Sequence, residues 1–133
     1  MGHGAGPSVF LSHSWGPDSR THDVVRRLAA ALPRGGLRPW LDEEQMHGDM
    51  LARMCEGIDR MDVFVVCVDH GVDGTDYPKK AYGAPNNVRR EFDYACHTGK
   101  PMIAALLHRK AKPTFEAPWP GPVGMLLGNH LYV

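Results

Sequence analysis

The sequence has no surplus of charge of either sign. Fifteen Lys plus Arg are matched by fifteen Asp plus Glu over 133 residues, so no net field draws the chain to nucleic acid or to an anionic membrane, and its expected partners are proteins or small molecules. It also lacks any apolar run approaching the roughly 18 residues of a membrane helix, and its first residues carry neither the charge nor the hydrophobic stretch of a signal peptide. A cytoplasmic domain is the expectation. Cysteine is scarce: Cys55, Cys67 and Cys96 are odd in number, form no CxxC, and each falls within an apolar helix or strand pattern. They read as buried free thiols in a reducing compartment. Histidine is not scarce, but none of the eight pair at i, i+4 on a helix and no Cys and His cluster has zinc-finger spacing. No metal site is expected, and the histidines read as scattered surface or core residues.

The length fits one domain able to bury a core without staples, so residues 1–133 are taken as a single domain. Four apolar runs read as strands, at Ser8 to Ser12, Leu37 to Leu41, Asp62 to Val68 and Pro101 to Leu107, with a fifth candidate at His130 to Val133. The third and fourth are almost continuously hydrophobic, as parallel strands covered on both faces are. Helical spacing separates them. Val25, Leu28, Ala29 and Leu32 form one stripe, and Leu51, Met54, Cys55 and Ile58 a second, with Asp49 as its N-cap. Val88, Phe92, Ala95 and Cys96 form a third, capped by Asn86 after Pro85. Strand and helix alternate three times, the pattern of an open α/β sheet with right-handed crossovers. Asp69 to Pro85 and Arg109 to Asn129 are rich in Gly and Pro and are expected to be loops without a regular helix. The chain stops at its last apparent strand, where such a sheet commonly adds a covering helix, so it is expected to be an excerpt of a longer protein.

Several motif-like strings carry little chemistry. Gly4-Ala5-Gly6 precedes the first strand instead of following it, so it cannot serve as a dinucleotide phosphate loop. Ser12, His13, Ser14 and Asp18 include triad residue types, but neighbours on a strand point to opposite faces and no nucleophile elbow surrounds them. Glu91 is more informative. At about 100° per residue it lies about 85° from the centre of the third helical stripe, on the border where a carboxylate is partly desolvated yet reachable from a cleft. An ordinary boundary glutamate would show the same phase. With strands ordered 2-1-3, the segment after strand one (His13 to Asp18) faces the one after strand three (Asp69 to Glu91), which puts Glu91 near the switch point with Ser14 and Trp15. Trp15 reads either as a stacking platform at the crevice mouth or as a loop anchor. Trp40, within the second strand, reads first as core packing.

In order and spacing these pieces resemble a TIR domain, the Toll/interleukin-receptor fold, along nearly the whole chain. Val9-Phe10-Leu11-Ser12-His13-Ser14-Trp15 is similar to the first-strand box. Leu37 to Asp42 resembles the second strand entering the BB loop, Gln45-Met46-His47-Gly48 its tip, and Asp62 to Val68 and Pro101 to Leu107 the third and fourth strands. The resemblance implies a flavodoxin-like α/β fold: an open, five-stranded parallel sheet in the order 2-1-3-4-5 with helices on both faces. One branch of this family scaffolds signalling complexes through TIR to TIR contacts. Another cleaves NAD with a glutamate on the third helix, usually four residues after a Trp in a W-x-x-x-E pattern, or following a Cys in plant members. Glu91 holds the glutamate's place, and Asn87 stands where the Trp would be. The position after the first strand, often basic in animal members, is Ser14, followed by Trp15. The resemblance therefore implies Glu91 as the catalytic residue of an NAD-cleaving enzyme in immune or cell-death signalling. Ser14, Trp15, Asn87 and Trp40 are the candidate substrate-binding positions. NAD enters as substrate, with no further cofactor, and other TIR domains are the implied partners, docking through the loop from Asp42 to Asp49. A non-catalytic adaptor and a nucleoside or nucleotide glycosidase using the same glutamate are the alternatives.

Overall fold

The computed structural model describes residues 6–14, 19–40, 50–69, 76–83, 86–114 and 118–127. Its elements run β1 (Ser8–Ser12), α1 (Arg20–Ala31), β2 (Arg38–Trp40), α2 (Met50–Arg60), β3 (Val63–Val68), α3 (Asp76–Lys80), α4 (Asn87–His97), β4 (Met102–Leu106) and α5 (Gly121–Leu127), with 3-10 turns at Leu32–Gly35 and Arg109–Ala111. The strands form one sheet in the order β2-β1-β3-β4, every pairing parallel. This is the flavodoxin-like arrangement, in the first four places of the expected order. The fifth candidate, His130 to Val133, lies outside the described residues, as does the proposed cap Asp49.

The period-two pleat divides the core in two. Phe10, Phe64, Val66, Val68 and Ala104 point to the side occupied by α2, α3, α4 and α5, where they pack with Met54, Ile58, Tyr77, Val88, Phe92 and Val123. Val9, Leu11, Val65, Cys67 and Ala105 point to the other side and meet Val25 of α1. Register aligns Phe10 with Phe64, whose rings stack at 5.5 Å. Phe64 meets Phe92 of α4 edge-on at 6.5 Å, and Phe92 meets Tyr77 of α3 edge-on at 6.4 Å. Burying each such ring stabilises the fold by about 1.5–3 kcal/mol, and edge-on pairs add to that. The aromatic series also fixes where α3 and α4 sit relative to the end of β1.

Several expectations are corrected. The segments Asp69 to Pro85 and Arg109 to Asn129 contain regular structure: α3 in the first, and α5 with a 3-10 turn in the second. Pro78 and Pro122 fall in the first turns of α3 and α5, where a backbone N–H has no intrahelical partner to lose, so proline there initiates a helix instead of breaking it. Of the three cysteines, all of them free, only Cys67 is buried; Cys55 is half-buried and Cys96 exposed. The buried stripe of α4 is narrower than its apolar pattern, comprising Val88, Phe92 and Ala95. Nor is β4 covered on both faces among the described residues, because Ile103 remains 42% exposed on the α1 side. Asn86 does cap α4, its side chain accepting the Arg89 N–H at 3.0 Å.

Gly57, in the middle of α2, is buried against the indole of Trp40. A Cβ at this position would lie 2.7 Å from the Trp40 ring and 3.0 Å from Phe10. Glycine within a helix ordinarily costs about 1 kcal/mol relative to alanine. Here that gain is outweighed, since overpacking a rigid indole costs about 1–3 kcal/mol. Gly57→Ala is therefore expected to lower stability by roughly 1 kcal/mol, read as a reduced urea midpoint; a higher midpoint would show that Trp40 moves aside freely.

Candidate functional site

At the carboxyl end of β1 the pleat continues past the apolar residues into polar ones. Ser12 shares a face with Phe10 and so points into the α3 and α4 side, while His13 points to α1. Ser12, fully buried, donates its hydroxyl to Glu91 Oε1 at 2.7 Å and lies 2.5 Å from the Tyr77 hydroxyl. Glu91 is half-buried, as its helical phase predicts. Its hydrogen bond to β1 joins α4, which follows β3, to the neighbouring strand, at the switch point of the sheet. Two buried groups feel this carboxylate. The Tyr77 hydroxyl is held well above its ordinary pKa by burial and then by Glu91, and the Cys67 thiol is pushed up to about 12 by the same two causes. Both are therefore neutral beside the Glu91 carboxylate.

The other expected positions divide. Ser14 is buried beside the site, its hydroxyl accepting from Lys80 Nζ at 2.8 Å, which ties the end of α3 to the end of β1. Asn87 opens α4 one turn before Glu91, with its side-chain oxygen accepting from Arg90 at 3.3 Å. Trp40 packs into the core layer against Gly57 and Phe10, and its buried indole N–H has no hydrogen-bond partner among the described residues. The packing half of its reading is the one observed. Trp15 and the loop from Asp42 to Asp49 lie outside the described residues.

Tyr77, Lys80 and the His13–His22 pair went unnoticed in the sequence. Tyr77 and Lys80 were hidden in a segment expected to be loop. His22 stands three residues before Val25, on the buried face of α1, and that phase was a legible signal. His13 and His22 stack at 5.0 Å and are joined at 2.8 Å between His13 Nε2 and His22 Nδ1. The Leu11 carbonyl, 3.1 Å from His13 Nδ1, can only accept, so Nδ1 carries the proton and Nε2 accepts from His22. Beside them Thr21 donates to Asp69 at 2.8 Å, linking α1 to the end of β3. Among the described residues no three metal-ligating side chains cluster, and no helix is long and apolar enough to cross a membrane.

The family model of the TIR domain matches residues 9–124. The chain belongs to the TIR domain family. No curated protein matches it at a significant level. The match begins within β1 and ends within α5, so it takes in Ser12, Tyr77 and Glu91 alike. Within this TIR domain the residues around the β1 end are polar on both faces of the sheet, with a carboxylate on one side and paired imidazoles on the other.

The imidazole side yields a pH prediction. Burial, with a smaller contribution from His22, lowers the His13 pKa from 6.5 to about 4, against the opposing bond to Leu11. With its folded pKa below the free value, His13 contributes stability that is complete above pH 6.5 and is lost as the pH falls toward 4. At about 1.4 kcal/mol per pKa unit, the loss amounts to about 3 kcal/mol. Urea unfolding of the TIR domain across this window should steepen in its pH dependence, and His13→Asn, which keeps a donor for Leu11 but cannot titrate, should flatten it. Equal slopes for the two proteins would refute a neutral, buried His13.

Proposed function

We propose that this TIR domain is an NAD glycohydrolase with Glu91 as its catalytic residue. The observation that carries the reading is the half-buried Glu91 carboxylate at the switch point, hydrogen-bonded to buried Ser12. Ordinary glycoside hydrolysis commonly uses two carboxylates, because the departing alkoxide must be protonated. Nicotinamide leaves NAD as a neutral molecule, so a single carboxylate suffices. In this reading Glu91 binds the hydroxyls of the nicotinamide ribose and stabilises the positive charge that develops at the anomeric carbon as the C–N bond breaks. Water then adds to that carbon and loses a proton, giving ADP-ribose. Attack by a nitrogen of the adenine gives a cyclic product instead.

Glu91→Gln keeps the shape and removes the charge. NAD cleavage, followed by chromatography of nicotinamide and ADP-ribose, should fall by roughly 10²–10³-fold while the fold survives. Full activity in a folded Glu91→Gln protein would remove Glu91 from the reaction.

One observation favours a second reading, a non-catalytic adaptor. Asn87 stands one turn before Glu91, where NAD-cleaving relatives usually carry an aromatic ring, and an amide offers a nicotinamide less stacking surface. In both readings the domain works by associating with other TIR domains. For the enzyme, specific activity should rise with protein concentration, and Gly48→Pro in the docking loop should suppress that rise. A wild-type protein that leaves NAD intact even when concentrated decides for the adaptor.

A further inference from the structure

Ser12 and Tyr77 do more than fill space around Glu91. A serine hydroxyl carries one proton and can accept through its lone pairs. An ionised carboxylate only accepts, so the Ser12 proton is committed to Glu91 Oε1. The proton in the 2.5 Å contact between Ser12 and Tyr77 must then come from Tyr77. We propose that Tyr77, acting through Ser12, is a positioning residue for Glu91: the chain from Tyr77 O–H to Ser12 O–H to the carboxylate holds Glu91 ionised and fixed in place beside the end of β1. The proposal rests on Glu91 being the working residue of the site.

The surroundings support this direction. Tyr77 is 1% exposed and Ser12 is fully buried, so both bonds lie where the dielectric is low and donors in series strengthen one another. Burial keeps Tyr77 protonated and able to donate. The Phe92 ring meets Tyr77 edge-on from the same helix that carries Glu91, so donor and carboxylate are held in one packed unit. Glu91 also opposes the ionisation of Cys67 on β3, which stays a neutral thiol. On α4 itself, Arg89 pairs with Asp93 at 3.5 Å and Arg90 bonds Asn87. From α3, Lys80 bonds Ser14. On β1, His13 faces the opposite side of the sheet, toward His22.

The test reads Glu91 directly, by the pH titration of its side-chain carboxyl carbon in carbon-13 NMR of the whole chain, with the resonance assigned by its loss in Glu91→Gln. Ser12→Ala should raise the Glu91 pKa by about one unit, and Tyr77→Phe by roughly half as much. Ser12→Thr, which keeps the hydroxyl, should stay near wild type. In the Ser12→Ala background Tyr77→Phe should add nothing, because its route to Glu91 is gone. With NAD as substrate, kcat should fall and its acid limb move upward in the same order, with KM little changed. A Glu91 pKa unmoved by Ser12→Ala, or a Tyr77→Phe shift that is the same with and without Ser12, overturns the relay. If Tyr77→Phe does not fold, the two Ser12 variants decide: threonine matching alanine instead of wild type sinks the proposal. The titration gives its answer whether or not the protein cleaves NAD, so failure of the relay and failure of the enzyme reading remain distinguishable.

Discussion

The pleat of β1 is the constraint on which the site depends. As an inner strand of a parallel sheet it is paired on both sides, with β2 and β3, and each successive side chain enters a different core layer. Phe10 anchors one layer and Leu11 the other. At the next residue the apolar side chains end, but burial does not: Ser12, His13 and Ser14 are all less than a tenth exposed. Buried polar groups must find partners or destabilise the fold by about 1–3 kcal/mol each. Ser12 finds Tyr77 and Glu91, His13 finds Leu11 and His22, and Ser14 finds Lys80. The end of one strand thus recruits α1, α3 and α4 to a single place.

The same requirement makes the site rigid where it touches the core. Tyr77 is anchored twice, by its ring against Phe92 and by its hydroxyl on Ser12. A shift of α3 would break an aromatic contact and orphan a buried hydroxyl at once. Since Phe92 is next in sequence to Glu91, the packing of the core and the position of the carboxylate are adjustments of one helix. Disturbing the aromatic series from Phe10 to Tyr77 is therefore expected to reach Glu91 without touching it.

The fold was largely legible in the sequence because its dominant signals are physical periods. Runs such as Val63 to Val68 leave little alternative to a buried parallel strand, and the three stripes locate α1, α2 and α4. Glu91 was legible for the same reason, its phase on α4 being computable from the stripe of Val88, Phe92, Ala95 and Cys96. What escaped detection depends on contacts across the chain. Tyr77 is 65 residues from Ser12, and no local pattern announces that their hydroxyls meet. Proline misled at Pro78 and Pro122, because its effect depends on whether it falls in a first turn or an interior one. Cys96 misled because an apolar residue at the edge of a stripe is buried only if a neighbour covers it.

Asn87 is where this TIR domain departs from the W-x-x-x-E pattern. It sits one turn before Glu91 on the same helix, so the two side chains lie on neighbouring positions of one face. An aromatic ring there would offer a flat apolar surface to a planar ligand. Asn87 offers instead an amide whose oxygen is engaged by Arg90. Stacking and hydrogen bonding select ligands differently: a stacked ring is tolerated by any flat surface, whereas a site built from polar groups rejects ligands that leave those groups unpaired. The carboxylate and its hydroxyl donors are set by the core. Asn87, one turn away, lies outside the core cluster, so on the proposed reading it is a position where ligand preference can change without disturbing the carboxylate.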